Sequence, residues 1–371
     1  IFRTIPFAMT SVVLCVTNDL FYDRRLQKIG GTLQAAGYEV TLVGRKPSLG
    51  IQDRQPPYQR HWLPCFFQRG VFFYLEFQIR LLIYLLRVPK SILCANDLDT
   101  MPAVYLASVF RKLPRVTDAH ELFTEQKEVV SRPLVHRIWL LAERWLVPRF
   151  PMGYTVNEQL AHEFNRRYGV RYEVIRNVPL LVALPAAGKN QADKWIIYQG
   201  AVNEGRCFEQ LIPAMKEVPV PLKIYGTGNF LLQVQQLIQA EKLEEKVVCI
   251  PPVLPEQLVH ITPAATIGIT LFEKKGLNQY WSLANRFFDY IMAGIPQICS
   301  DFPAYQAIMD RYPVGLLVDS SDPRSIADAL NKLLSDDVLY EKCKNACLDA
   351  RKELNWENER DRLLAFYAKL L

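Results

Sequence analysis

The sequence predicts an α/β protein built from two Rossmann-like, doubly wound domains. Three observations lead there. The order apolar strand, loop, helix, Gly, apolar strand opens the chain at residues 11–44, and a strand-loop-helix pattern starts afresh at Trp195. Between the two halves, residues 180–194 (LLVALPAAGKNQADK) lose hydrophobic periodicity and gain Pro, Gly and Ala, which marks a linker. A length of 371 residues is what two ordinary domains require. The expected division is a first domain over 1–180, a linker over 181–194 and a second domain over 195–354, followed by a last helix.

Composition narrows the class. Half the residues are apolar and 22% are charged, an ordinary globular balance. The eight Cys are scattered without a CxxC or His at metal spacing, so they are expected as reduced thiols of a cytosolic protein. Residues 1–10 carry no cationic stretch ahead of a long apolar run, so no signal peptide is expected and they form a leading arm. Charge is uneven: residues 1–180 hold 24 Lys+Arg against 15 Asp+Glu, a net of +9, and the remainder 20 against 23, a net of −3. A basic first half points to an anionic partner, a lipid surface or phosphate-bearing acceptor. Nucleic acid is not expected, because neither an RNP-type motif nor a recognition helix is evident.

The elements follow in order. Residues 11–17 (SVVLCVT) read as the first buried strand, residues 23–36 as a helix ended by Gly37, and residues 39–44 (EVTLVG) as the next strand. No GxGxxG follows the first strand, which argues against a dinucleotide oxidoreductase. Residues 66–87 (FFQRGVFFYLEFQIRLLIYLLR) are apolar except for Arg69, Glu76, Arg80 and Arg87, whose spacing sets them on one helical stripe. Those charges interrupt it too often for a membrane span. Two descriptions fit: a core helix almost surrounded by protein, or a helix lying partly in a bilayer surface. Residues 91–95 (SILCA) form a strand that ends in Asn96-Asp97-Leu98-Asp99; this DxD is expected to cap the next helix and line a cleft, not to hold metal. In VTDAHELFT, His120 lies just beyond a strand's C-terminal end, where open α/β sheets bind ligands.

In the second half, residues 195–200 (WIIYQG) lead into a loop and Arg206 opens a helix; residues 221–225 (PLKIY) lead into Gly226-Thr227-Gly228. Residues 271–300 read as loop, helix and buried strand. Asn285 is expected to cap the helix, Phe287, Phe288, Ile291 and Met292 form its apolar stripe, and Gly294 with Pro296 stops it. A helix start suits an anion, with Arg286 adding charge. Asp289 lies one turn further on, positioned for ribose hydroxyls.

SLANRFFDYIMAGIPQICS resembles the donor-binding segment of retaining family-4 glycosyltransferases of the GT-B fold, and TNDLFYDRRLQKIGGTLQAAGYEVTLVGR resembles their opening. The resemblance extends over nearly the whole chain from residue 11. It implies two domains facing across a cleft, with the last helix, 355–371, returning to the first. Asp289 takes the position of the acid that holds the nucleotide ribose; the partner acid of that motif is replaced by Trp281. The family's "GRLxxxKG" supplies an Arg and a Lys to the donor diphosphate, whereas this chain has Ala201 and Arg206. Arg206, Ser282, Asn285 and Arg286 then hold the diphosphate, and Gly226 and Gly228 let the backbone approach the nucleotide. VTDAHELFT is similar to the loop whose His contacts the donor sugar by the reacting carbon, so His120 is the catalytic candidate. Asn18, Asp19, Arg24, Asp97, Glu121 and Glu125 fall on the acceptor side.

The implied reaction moves a sugar, with retention, from a UDP- or GDP-type nucleotide sugar to a saccharide or lipid-linked saccharide acceptor, as in polysaccharide biosynthesis. Cations and a helix dipole neutralise the leaving group, so no cofactor or metal is required. The expected location is cytoplasmic, with peripheral contact to the inner membrane face through 66–87. Alternatives are a GT-B nucleotide-sugar epimerase and a non-catalytic GT-B partner protein with a degenerate donor site.

Overall fold

The computed structural model describes residues 10–20, 23–46, 56–184 and 194–371, and excludes the side chains of Asp19 and Pro255. Most of the expected linker, residues 185–193, and most of the leading arm, residues 1–9, lie outside the described residues. The chain forms two compact units, Ile1–Arg176 with Arg360–Leu371, and Asn177–Glu359.

The first unit runs β1 (Ser11–Asp19), α1 (Arg24–Ala35), β2 (Glu39–Arg45), β3 (Gln59–Leu63), α2 (Gly70–Leu85), β4 (Ser91–Asn96), α3 (Met101–Arg111), β5 (Arg115–Asp118), α4 (Lys127–Val130), α5 (Pro133–Leu146), β6 (Gly153–Thr155), α6 (Glu158–Tyr168) and β7 (Glu173–Val174). Its sheet has the order β3-β2-β1-β4-β5-β6-β7, parallel throughout. The central strands are buried on both faces, which is why Val12–Cys15 and Ile92–Ala95 are continuous apolar runs without alternation. Sequence reading missed β3, whose residues (QRHWL) are mostly polar and half-exposed at the sheet edge. Asp23 caps α1 by accepting from the Leu26 N–H at 2.9 Å.

The helix expected over 66–87 is α2, and its description as a core helix almost surrounded by protein is corrected. Only Phe73, Phe77, Leu81 and Leu85 are buried, a four-residue repeat that forms a single stripe. Phe72, Leu75 and Ile79 on the other faces stay exposed. Glu76 is used locally, accepting from the Phe66 and Phe67 N–H groups and from Arg80 Nε at 2.8 Å. Among the described residues no helix is long and apolar enough to cross a membrane.

The second unit runs β8 (Ile196–Gln199), α7 (Phe208–Ala214), β9 (Leu222–Tyr225), α8 (Leu231–Ala240), β10 (Val247–Ile250), α9 (Pro255–Ile261), β11 (Ile267–Thr270), α10 (Leu277–Trp281), α11 (Asn285–Ala293), β12 (Gln297–Ser300), α12 (Pro303–Met309), β13 (Gly315–Val318), α13 (Pro323–Ser335), α14 (Asp337–Glu353) and the start of α15 (Trp356–Ala368). Its sheet, again parallel, has the order β10-β9-β8-β11-β12-β13. The apolar stripe of α11 packs Phe287, Phe288 and Ile291 with Phe302, Tyr305 and Cys347. The helix ends at Gly294, whose left-handed φ of 70° is where a Cβ would be strained. Residues 177–184 are fastened to this unit: the Trp356 N–H donates to Pro179 O at 2.9 Å and the Leu181 N–H to Glu357 Oε2 at 3.0 Å.

The end of the chain belongs to the first unit. Phe366 and Tyr367 are buried there, with the Phe366 ring 5.2 Å from that of Tyr154. Truncating such a ring removes its transfer energy and leaves a cavity. Phe366→Ala is expected to cost about 3–5 kcal/mol of stability, read as an earlier urea transition that the second unit does not share.

Candidate active site

Both sheets reverse their winding once, between β1 and β4 and between β8 and β11. At such a point two neighbouring loops diverge beyond the strands' C-terminal ends and leave a crevice. Each unit collects its unusual polar residues there.

In the first unit β4 ends at Asn96 and β5 at Asp118. The Asp118 carboxylate is fully buried and takes two bonds from Arg25, from Nε at 2.8 Å and from Nη2 at 2.9 Å. Arg25 Nη1 also donates to Ile175 O at 3.0 Å. Removing one partner of such a buried pair costs about 3–5 kcal/mol, since the other charge is stranded. His120 sits next to this pair: its Nε2 is 3.2 Å from Asp97 Oδ2 and its Nδ1 3.8 Å from Asp118 Oδ1. Asp97 has φ 61° and ψ 172°, a region costing a non-Gly residue about 1–3 kcal/mol. Its N–H is tied to Asp118 O at 3.0 Å, which helps hold it there. Among the described residues Asp97 Oδ1 and His120 Nδ1 are buried without a hydrogen-bond partner. Burial disfavours the imidazolium, but Asp97, Asp118 and Glu121 outweigh it and raise the His120 pKa to about 9. Asp99 is buried and bonded by the Thr17 hydroxyl; burial pushes it up to about 6. The DxD carboxylates are thus directed at His120 and Thr17.

In the second unit the loop after β8 approaches the loop after β9. The Val202 N–H donates to Thr227 O at 2.9 Å and the Phe230 N–H to Val202 O at 3.0 Å. A Cβ on Gly226 would lie 1.9 Å from Gly200 O, and one on Gly228 2.2 Å from Val202 O. These glycines are required by backbone against backbone. Arg286 is buried. Its guanidinium lies 4.4 Å from the Tyr198 ring centre and 5.0 Å from that of Phe272, and Nη1 donates to Gln199 O at 3.3 Å. Its Nε is buried without a hydrogen-bond partner. The Arg206 guanidinium lies 4.3 Å from the same Phe272 ring, so one aromatic carries both cations. Asp289 Oδ2 accepts from Gln199 Nε2 at 3.1 Å, and Gln199 Oε1 accepts from Thr262 at 2.7 Å.

The expected cap of α11 is corrected, and other candidate residues have partners within the protein. Asn285 does not cap α11: Ala284 occupies the cap without a side-chain bond, and Asn285 is the first helical residue, its exposed Oδ1 accepting from Asn177 Nδ2 at 3.0 Å. Arg286 is not an exposed charge at the helix tip but is folded back against β8. The Ser282 hydroxyl is engaged with Gln279 O at 3.2 Å, closing α10. Glu125 is held by Arg167 Nη1 at 2.9 Å. Glu121 accepts from Gln126. Arg24 is exposed at the start of α1, while its neighbour Arg25 enters the cluster. Asn18 is exposed at the end of β1, and the Asp19 backbone pairs with Arg45. Sequence reasoning passed over Arg25 and Gln199, which carry no motif; Asp23, capping α1, was the only local sign that Arg25 begins a helix.

Two family models match in succession, "Glycosyltransferase Family 4" over residues 24–182 and "Glycosyl transferases group 1" over residues 184–349. The chain belongs to the family-4 (group 1) glycosyltransferases. It is 27% identical over 165 residues to the D-inositol 3-phosphate glycosyltransferase of Corynebacterium urealyticum, a match covering 43% of this chain and 38% of that protein. It is 33% identical over 75 residues to the phosphatidyl-myo-inositol mannosyltransferase of Mycobacterium leprae, 20% of each. The matches thus span well under half the length of these relatives. In fold it is similar to sucrose-phosphate synthase of Thermosynechococcus elongatus, with a TM-score of 0.80 and 18% identity over 97% of this chain and 99% of the other. An Anabaena protein, HepE, in complex with UDP-glucose gives a TM-score of 0.75 at 11% identity, over 97% and 99%. The fold is GT-B, two Rossmann-like α/β units.

The charge on His120 is directly measurable. By NMR its ring is expected to titrate near 9, and Asp97→Asn is expected to lower that pKa by about one unit or more, because an opposing charge at contact distance is lost. Since the folded pKa exceeds the ordinary 6.5, this stabilisation is complete below pH 6.5 and disappears as pH rises through about 9.

Proposed function

We propose that the chain is a retaining glycosyltransferase that moves a sugar from a nucleotide-diphosphate donor to a saccharide or lipid-linked saccharide acceptor, on the cytoplasmic side of a membrane and in polysaccharide assembly. The second unit holds the donor: Arg206, Arg286 and the start of α11, with Ser282 and Asn285, face the diphosphate, and Asp289 the ribose. In the first unit His120 is the catalytic candidate, with Asp97 and Glu121 as acceptor-side groups. A uridine donor is favoured, since a structural neighbour was solved with UDP-glucose.

The observation that carries the donor assignment is Arg286. Burying a cation costs several kcal/mol. Against this, a desolvated cation–π contact contributes about 2 kcal/mol and one charged hydrogen bond about 1.5–3 kcal/mol. No carboxylate among the described residues forms an ion pair with it, and Nε is still without a partner. A diphosphate would supply the missing anion. Arg286 Nη1 also lies 3.6 Å from where a Gly200 Cβ would be, next to Ala201, the position at which the family carries its phosphate-binding Arg. Arg286 therefore replaces that cation from the other side of the loop. Loss of the arginine at 201 and of the acid at Trp281 does not by itself make the site degenerate.

His120 as imidazolium is a hydrogen-bond donor and not a nucleophile, which suits attack by the acceptor on the face that the diphosphate leaves. Burial raises the Asp97 pKa well above its ordinary value, while the Asp118 carboxylate is held by Arg25 beside the His120 ring.

The test is calorimetry of UDP, GDP, ADP and CDP and their sugar conjugates. One nucleotide is expected to bind, stabilising the fold by roughly 2.7 kcal/mol at a hundredfold excess over its Kd, and Asp289→Ala to abolish that stabilisation. Arg286→Ala is expected to weaken the same nucleotide by about tenfold to a hundredfold, and Ala201→Arg in that background to restore part of the loss. No binding by any nucleotide would leave a non-catalytic partner protein; turnover of donor without acceptor would mean an epimerase.

A further inference from the structure

We propose that Gln199 is a positioning residue of the donor site: it holds the Asp289 carboxylate in place for the nucleotide ribose. The inference rests on the donor reading of the second unit. Gln199 is the last residue of β8 and only 4% exposed, following the fully buried Ile196, Ile197 and Tyr198. A side-chain amide in such a place is costly unless both its ends are bonded. Its Nε2 donates to Asp289 Oδ2 at 3.1 Å, and its Oε1 accepts from the Thr262 hydroxyl at 2.7 Å. A carboxylate accepts only, so the NH2 end must face it, and Thr262, just past α9, must then donate. Hydroxyl and carboxylate together fix which way the amide points.

The backbone of the same residue meets the same helix. Its N–H donates to the Tyr290 hydroxyl at 3.2 Å, and its carbonyl accepts from Arg286 Nη1 at 3.3 Å. The Tyr290 hydroxyl in turn donates to Ile197 O at 3.2 Å. Asp289 and Tyr290 follow Arg286 by three and four positions, which puts all three on one face of α11. One residue of β8 therefore sets the cation assigned to the diphosphate and the acid assigned to the ribose in register with each other. Filling space at this position needs no amide, since a methionine covers the same apolar neighbours. What the amide adds falls on Asp289. Pinning one oxygen removes rotamer freedom from the carboxylate before the nucleotide arrives, so less is lost on binding. Being neutral, the amide does this without cancelling the charge that the ribose hydroxyls would meet. A carboxylate has about four acceptor sites, so one amide bond does not saturate it.

The test is calorimetry of the full chain with UDP, GDP, ADP and CDP, with the 2′,3′-dideoxy form of whichever binds, and with inorganic pyrophosphate. Gln199→Met is expected to weaken the nucleotide by about tenfold, because the ribose-binding acid is no longer held. Its effect on the dideoxy form and on pyrophosphate is expected to stay within about twofold, as is its further effect in an Asp289→Ala background. Thr262→Val, which removes the donor that orients the amide, is expected to weaken the same nucleotide by about threefold with the same dependence on the ribose hydroxyls. If Gln199→Met does not melt cooperatively, Thr262→Val carries the test with the same ligands. The inference is overturned if the variants bind the nucleotide as the wild type does, or if nucleotide, dideoxy form and pyrophosphate all lose affinity equally. It is also overturned if Gln199→Met and Asp289→Ala are additive. A wild type that binds none of the four nucleotides overturns the donor assignment and this inference together. Binding that is lost in Asp289→Ala but intact in Gln199→Met overturns this inference alone.

Discussion

A parallel sheet sends all its strands' C-terminal ends to one edge, and a doubly wound one must reverse its connections somewhere along that edge. That constraint organises both units. Between β1 and β4, and between β8 and β11, adjacent loops diverge, and buried polar side chains project where no neighbouring loop fills the space. The strand interiors are largely apolar, and the polar groups of the site begin at strand ends such as Asp118 in β5 and Gln199 in β8. Polar function is therefore pushed to the residues just past each strand: Asp97 after β4, His120 after β5, the Gly200–Arg206 loop after β8 and Phe272 after β11.

The two units handle buried guanidinium groups differently. Arg25 meets a carboxylate in bidentate geometry and donates a third bond to a carbonyl, which satisfies the charge within the protein. It acts by locking Asp118 and, through it, the surroundings of His120. Arg286 rests on two aromatic rings and one carbonyl, and its charge is left without a counterion among the described residues. The first arrangement is complete as it stands. The second lacks such a counterion among the described residues.

The outer helices of the first unit invert the usual pattern of a globular surface. Their inner stripes are apolar because they cover the sheet; their outer faces are apolar too, with basic residues at the margins and the acids withdrawn into local hydrogen bonds.

What the sequence determined by itself was the alternation of elements and the loops that matter. Continuous apolar runs announce doubly covered parallel strands, and the Gly294 stop and the apolar stripe of α11 are local, so they were readable from spacing. His120 was legible as a polar residue just past a strand, and family resemblance added its chemistry. Only the tertiary structure decided how side chains from distant segments met. Arg25 joins Asp118 across 93 positions and Gln199 holds Asp289 across 90, partnerships that no local period encodes. Whether Arg286 points outward or folds back on β8, and whether Glu125 is available or bound to Arg167, depend on the same long-range packing. The helix over residues 70–85 shows the division most clearly: its composition suits burial on every side, yet the sheet can cover only one stripe of it, and geometry leaves the rest exposed.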